Sequence, residues 1–150
     1  MKLTLEWRPR TRGELLAGLA DALETLTRIN VRELASWQLG SPYSAGVGYQ
    51  PEDGTERWLS ASIVLSEGAA DCEDLAAWLA AWRRLQGDRT ARAIPMIVGF
   101  DAMGRMLIHI VVVSRRGVED PSVVLGMNNY PRRTALAPVM EGIRWSRSLS

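Results

Sequence analysis

Cysteine and histidine are nearly absent from this chain of 150 residues, which carries one of each, Cys72 and His109. A lone cysteine forms no internal disulfide, so a reducing, intracellular origin is the default expectation. One thiol and one imidazole also fall short of the tetrahedral ligand set of a structural zinc site. An excess of one charge is missing too. Eighteen Lys and Arg face seventeen Asp and Glu, for a net charge of +1. That removes the electrostatic case for nucleic acid or for an anionic membrane as partner. The C-terminal arginines Arg132, Arg133, Arg144 and Arg147 read as scattered surface charge. Long apolar runs are lacking. The longest, residues 108–113, is interrupted by His109 and is too short to span a bilayer. Residues 1–7 hold nothing like the apolar stretch of a signal peptide. There is no internal repeat and no low-complexity tract. The expectation is one soluble domain over residues 1–150, cytoplasmic or part of a larger assembly.

What is present is an ordinary globular composition, 47% hydrophobic and 23% charged, which is enough apolar residue for a core. Residues 2–7 alternate apolar and polar and predict a strand, ended by Pro9. Thr11 with Glu14 makes a capping box. Leu15, Leu16, Leu19, Leu23 and Leu26 then recur at helical spacing, and residues 31–39 predict a second helical stretch that stops at Gly40. Residues 40–55, punctuated by Gly and Pro, predict a loop. Residues 57–66 fit helix or strand equally, and Glu67-Gly68-Ala69-Ala70 predicts a turn. The clearest helix starts at Asp71, a good N-cap, and runs to about Gln86 before Gly87. Leu75, Trp78, Leu79, Trp82 and Leu85 form its apolar stripe. Two β-rich runs, residues 93–100 and 106–114, are joined by Asp101-Ala102-Met103-Gly104 and predict a hairpin. Arg115-Arg116-Gly117 turns the chain again toward Val118-Glu119-Asp120-Pro121. From Ser122 onward, short apolar runs alternate with prolines and predict no definite element. Helices first and strands afterwards argue an α+β domain rather than a parallel α/β sheet.

Three residues attract a chemical reading. Cys72 lies one position inside the helix that Asp71 caps, where backbone N–H groups and the helix dipole favour a thiolate. The same N–H groups can receive an oxyanion. Glu73 and Asp74 work against a thiolate, so a positive partner is required, and protonated histidine is the usual one. His109 sits inside an apolar strand, on the face of Leu107, Val111 and Val113 by alternation. A half-buried imidazole there needs polar partners. Asp120 follows eleven residues later, just past a turn. An antiparallel return can bring it beside His109, binding one ring nitrogen and leaving the other for Cys72. Singly, each has a bland reading: a buried thiol as filler, a satisfied core histidine, an Asp-Pro turn. Together, in this order and on these elements, they form a Cys-His-Asp set. Gly46-Val47-Gly48 follows no strand and opens no helix, so it is not a dinucleotide loop. The six tryptophans read as packing anchors rather than a stacking platform for bases.

The segment Gly68-Ala69-Ala70-Asp71-Cys72-Glu73-Asp74-Leu75-Ala76 resembles the nucleophile motif of transglutaminase-like cysteine enzymes, in which a Gly-rich turn runs into a Cys-bearing helix. Ile108-His109-Ile110-Val111-Val112 resembles that family's His strand, and Val118-Glu119-Asp120-Pro121-Ser122 its Asp block. The resemblance spans about residues 45–127. It implies a papain/transglutaminase-like core, with a Cys-bearing helix packed on an antiparallel sheet that carries His and Asp, preceded here by N-terminal helices. It implies an acyl-transfer enzyme with Cys72 as nucleophile, His109 as base and Asp120 as orienting acid, working through a thioester without cofactor or metal. Amide or peptide hydrolysis stands ahead of transamidation, on a peptide or protein substrate. In many members an upstream Trp or Gln steadies the oxyanion, and Trp58 and Gln50 are the candidates here. The chain is short, without the extra domains that set substrate choice in larger members. Small proteins with this motif type also resemble products of bacteriophage genomes, which implies a processing protease or a virion component, in the cytoplasm or within the particle. The alternative is a non-catalytic structural or binding module on the same fold, for example within a phage particle.

Overall fold

The computed structural model describes residues 2–3, 9–51 and 57–129. In order, the elements are β1 (Lys2–Leu3), α1 (Arg12–Trp37), a 3-10 turn (Pro42–Ser44), β2 (Gly48–Tyr49), β3 (Trp58–Leu59), α2 (Ala61–Glu67), β4 (Ala69–Ala70), α3 (Cys72–Leu85), β5 (Arg92–Phe100), β6 (Met106–Ser114), β7 (Gly117–Glu119), α4 (Pro121–Val124) and a second 3-10 turn (Met127–Asn129). Helices and a small antiparallel sheet make a mixed α+β domain. Of the strand expected over residues 2–7, Lys2 and Leu3 are described and the rest lies outside the described residues, as do the four C-terminal arginines.

The N-terminal cap forms as the residue types dictate. Thr11 Oγ1 accepts the Glu14 N–H at 3.1 Å, and the Glu14 carboxylate accepts the Arg10 N–H at 2.7 Å. Two helical stretches were expected across residues 15–39. There is one helix of 26 residues instead. The reason is a buried line through the supposed break: Leu23, Leu26, Asn30 and Leu34 are all on the inner side of α1. Asn30 is tolerated there because its Oδ1 accepts the Ala61 N–H at 2.8 Å. Nearby, the Glu33 carboxylate accepts from the Ser60 hydroxyl at 2.9 Å and the Ser62 N–H at 3.0 Å. Side chains of α1 thereby serve the N-terminus of α2, whose own N-cap Ser60 makes no side-chain cap. This settles the ambiguous residues 57–66 as a short strand followed by a helix.

Gly68 ends α2 at φ 80°, a left-handed conformation that suits glycine. The turn expected over residues 67–70 is therefore confined to Gly68. Ala69 and Ala70 form β4, paired in parallel with β2 (Gly48↔Ala69, Tyr49↔Ala70). That pairing lies inside the 40–55 stretch expected to be loop, and it delivers the chain to the start of α3.

Residues 72–81 of α3 are buried on every side, beyond the one-sided stripe the spacing predicted. Ala76, Ala77, Ala80 and Ala81 make the helix thin, so α1 and β6 both pack closely on it. Trp78, fully buried, donates its indole N–H to the Gly40 carbonyl at 2.9 Å. The main sheet has the order β5-β6-β7, all antiparallel, with Ile94↔Val111, Pro95↔Ile110 and Met96↔His109 in register. Pro95 is admissible because β5 is an edge strand. Along β6, Ile108, Ile110 and Val112 join the core with the helices, while Val111 packs with Ile94, Met96, Val98 and Val118 on the other face. Alternation puts His109 with Val111.

Candidate active site

The backbone sets the first component. Asp71 Oδ1 accepts the Cys72 N–H at 2.6 Å and its carbonyl accepts the Leu75 N–H at 3.2 Å, so α3 opens at Cys72 as expected. Asp74 Oδ1 accepts the Leu59 N–H at 2.7 Å, pinning the same turn to β3. Cys72 is buried. Its Sγ lies by the Ile110 backbone N–H, which favours the thiolate, but this is the lesser influence. Burial first, then the Glu73 and Asp71 carboxyls, push the thiol well above its ordinary range. The thiol donates to Glu73 Oε2 at 3.3 Å. Glu73 is itself buried, and burial followed by Asp71 and Asp74 raises its carboxyl well above the usual carboxylate range. Among the described residues no hydrogen bond joins the thiol to the His109 ring.

The second component is the His109–Asp120 pair. The ring Nε2–H donates to Asp120 Oδ2 at 2.8 Å, with His109 2% and Asp120 8% exposed. The return of the chain through β7 brings them together, as the short turn predicted. Asp120 sits one residue beyond β7 rather than within the strand. It is the N-cap of α4, its Oδ1 accepting the Val123 N–H at 3.2 Å. The carboxylate is thus held at both oxygens, and the ring keeps Nδ1 for a further partner.

A third component had no signal in the sequence. Arg83 of α3 binds Glu119 of β7 through two nitrogens, one contact being 2.9 Å from Nε. It ties the Cys-bearing helix to the residue next to Asp120. Tyr43 stands beside this pair, and burial, then the Glu119 charge, pushes its hydroxyl up to about 12. The partners are 36 positions apart; Glu119 falls within the segment that resembles the Asp block, but nothing there pairs it with Arg83.

A cleft of about 250 Å³ opens beside the start of α3, lined in part by Gln50, Arg57, Glu67, Asp71 and Asp74. Of the two oxyanion candidates, Gln50 is exposed on this cleft and its backbone N–H donates to the Ala70 carbonyl at 2.9 Å. Trp58 is 2% exposed and belongs to the hydrophobic core. Donor atoms of Asp71, Cys72 and Glu73 lie within 4.8 Å of one another. Asp71 is engaged as the helix cap and Glu73 with the thiol, so we read this grouping as the hydrogen-bonded start of a helix and assign it no ion. No helix among the described residues is long and apolar enough to cross a membrane. Comparison with known proteins leaves the site to speak through its own geometry: no protein-family model, curated protein or solved structure matches this chain.

Proposed function

We propose that the chain is a cysteine-dependent acyl-transfer enzyme of transglutaminase-like type, on a papain/transglutaminase-like core, hydrolysing an amide or peptide bond. The observation that carries this reading is the buried His109–Asp120 pair, whose Nε2–Oδ2 bond of 2.8 Å holds the imidazole one residue from the Ile110 N–H that approaches Cys72. Cys72 attacks the amide carbon and forms a thioester. His109, oriented by Asp120, takes the thiol proton and returns it to the leaving amine, and water then releases the acid. Gln50 and Trp58 are the candidates to steady the oxyanion, Gln50 being the one exposed on the cleft. A peptide or protein is the substrate, met at the cleft beside α3.

The test is hydrolysis of a peptide pool by the wild type and three variants. Cys72→Ser is expected to abolish turnover with the fold intact, because a hydroxyl is a far poorer nucleophile at neutral pH. His109→Ala is expected to cost about 10²–10⁴-fold in kcat, the usual worth of a general base. Asp120→Asn is expected to cost less, since the nucleophile and base both remain. Unchanged activity in Cys72→Ser overturns the assignment.

One observation favours a second reading, a non-catalytic structural or binding module such as a virion component. The thiol bonds Glu73 instead of His109 and is pushed toward its neutral form. Rapid iodoacetamide labelling of Cys72 that His109→Ala slows supports the enzyme. Labelling no faster than a free thiol, together with no turnover of any peptide, supports the module.

A further inference from the structure

Glu73 has no structural task that explains its burial. It caps nothing beyond its own turn, it makes no ion pair among the described residues, and it is 6% exposed. Its side-chain hydrogen bonds are with the Cys72 thiol, at 3.3 Å, and with its own backbone N–H. Burying an unpaired carboxyl is costly unless it stays neutral or shares its charge. The groups that act on the pair are Asp71 and Asp74 on α3 itself and the Ile110 N–H on β6, while His109 and Asp120 are hydrogen-bonded to one another. Arg83 is spent on Glu119. No cation among the described residues bonds to the Cys72–Glu73 pair, so its proton is exchanged chiefly between sulfur and carboxyl.

We infer that Glu73 is the resting acceptor of the Cys72 proton, so that thiol and carboxyl titrate as one unit and Glu73 acts as a brake on the nucleophile. In the exchange the S–H bond breaks, the proton moves to a Glu73 carboxylate oxygen, and the electron pair stays on sulfur. No other reactant is needed. Once the pair has lost its first proton, two forms coexist in fixed ratio: thiol with carboxylate, and thiolate with carboxylic acid. Losing the second proton puts two negative charges side by side and moves to higher pH. Burial pushes both groups upward. The inference rests on Cys72 being the nucleophile only for its meaning in catalysis, because the pair's titration can be read without turnover.

The experiment is the rate of iodoacetamide alkylation of Cys72, followed by intact mass from about pH 5 to about pH 10. The chain has one cysteine, so a single adduct reports a single site. The expected wild-type profile rises, flattens over the range in which the pair holds one proton, and rises again. Glu73→Gln is expected to give one smooth step. The two proteins react alike at acidic pH, and above the first step the variant reacts about tenfold faster, one pKa unit of removed repulsion. A single-step profile in the wild type overturns the inference without needing any variant to fold. A two-step profile that persists in folded Glu73→Gln overturns it as well, since the second group then lies elsewhere. Peptide turnover measured on the same samples reports separately on the nucleophile assignment. Loss of the two-step profile with turnover intact removes the brake and leaves the enzyme.

Discussion

Replacing Arg83 by Met tests the clamp between α3 and β7. Met keeps most of the aliphatic stem that packs beside Trp82 and deletes the guanidinium. The Arg83 side chain is 8% exposed and that of Glu119 20%. Breaking a fully buried pair by removing one partner costs about 3–5 kcal/mol, because the other charge is left without compensation. Water reaches Glu119 in part, so we expect about 2–3 kcal/mol for Arg83→Met. A portion of that is the cation–π contact of Arg83 with the Trp82 ring, 4.8 Å from its centroid, worth about 0.5–1 kcal/mol. Glu119→Gln keeps a neutral acceptor and is expected to cost about 1–2 kcal/mol. Urea denaturation of both single variants and the double variant isolates the pair itself. Residues in direct contact are expected to show a coupling of about 1–3 kcal/mol. The cation–π loss drops out of that cycle because it does not involve Glu119. A coupling below about 0.3 kcal/mol, the scatter of independent sites, refutes the clamp.

Three further outcomes follow from single observations. Arg84, through hydrogen bonds at 2.9 and 2.6 Å, is the main cause holding the Glu24 carboxyl at about 2, below its ordinary 4.5. A depressed acid contributes stability above its unfolded value and loses it as pH falls through the folded one, so the wild type is expected to lose more stability than Glu24→Gln between about pH 4.5 and about pH 2, read by thermal melts. Among the described residues Ser122 Oγ is buried without a hydrogen-bond partner, so Ser122→Ala is expected to leave stability unchanged or raise it by about 1 kcal/mol, and a loss above that size shows an unseen partner. Gln38 closes α1 at φ 53°, the left-handed region, so Gln38→Gly is expected to stabilise by about 1 kcal/mol, a rise of about 2–4 °C in Tm by calorimetry.

The parts legible in the sequence are those whose causes lie within a few residues. Asp71 as cap, the stripe through Leu75, Trp78 and Leu79, and Gly87 as stop located α3 to within a residue. The β-branched runs on either side of residues 101–104 located the hairpin, and the short turn at Gly117 was enough to bring Asp120 to His109. Each of these follows from a cap, a period or a loop too short to allow another return. The opposition of Glu73 to a thiolate was also readable from adjacency alone. Its direct bond to the thiol was not, because a rotamer chosen inside a packed core depends on what surrounds it.

What only the tertiary structure decided has its cause far along the chain. The periodicity breaks between Leu26 and residue 31, and the helix runs through because Ala61, 31 positions beyond Asn30, supplies the N–H that Asn30 accepts. Ala69 and Ala70 read as a turn until β2 pairs with them. The stripe predicted one buried face of α3, and α1 and β6 close on the helix from both sides and bury residues 72–81 all round. The role of Arg83 appears only when β7 sets Glu119 against it. The sequence by itself therefore determined where the helix of Cys72 and the strand of His109 begin and end, because caps and periodicity act locally. Tertiary packing decided how tightly those elements enclose Cys72 and which group its proton meets, because desolvation is a property of the assembled core and of no short segment.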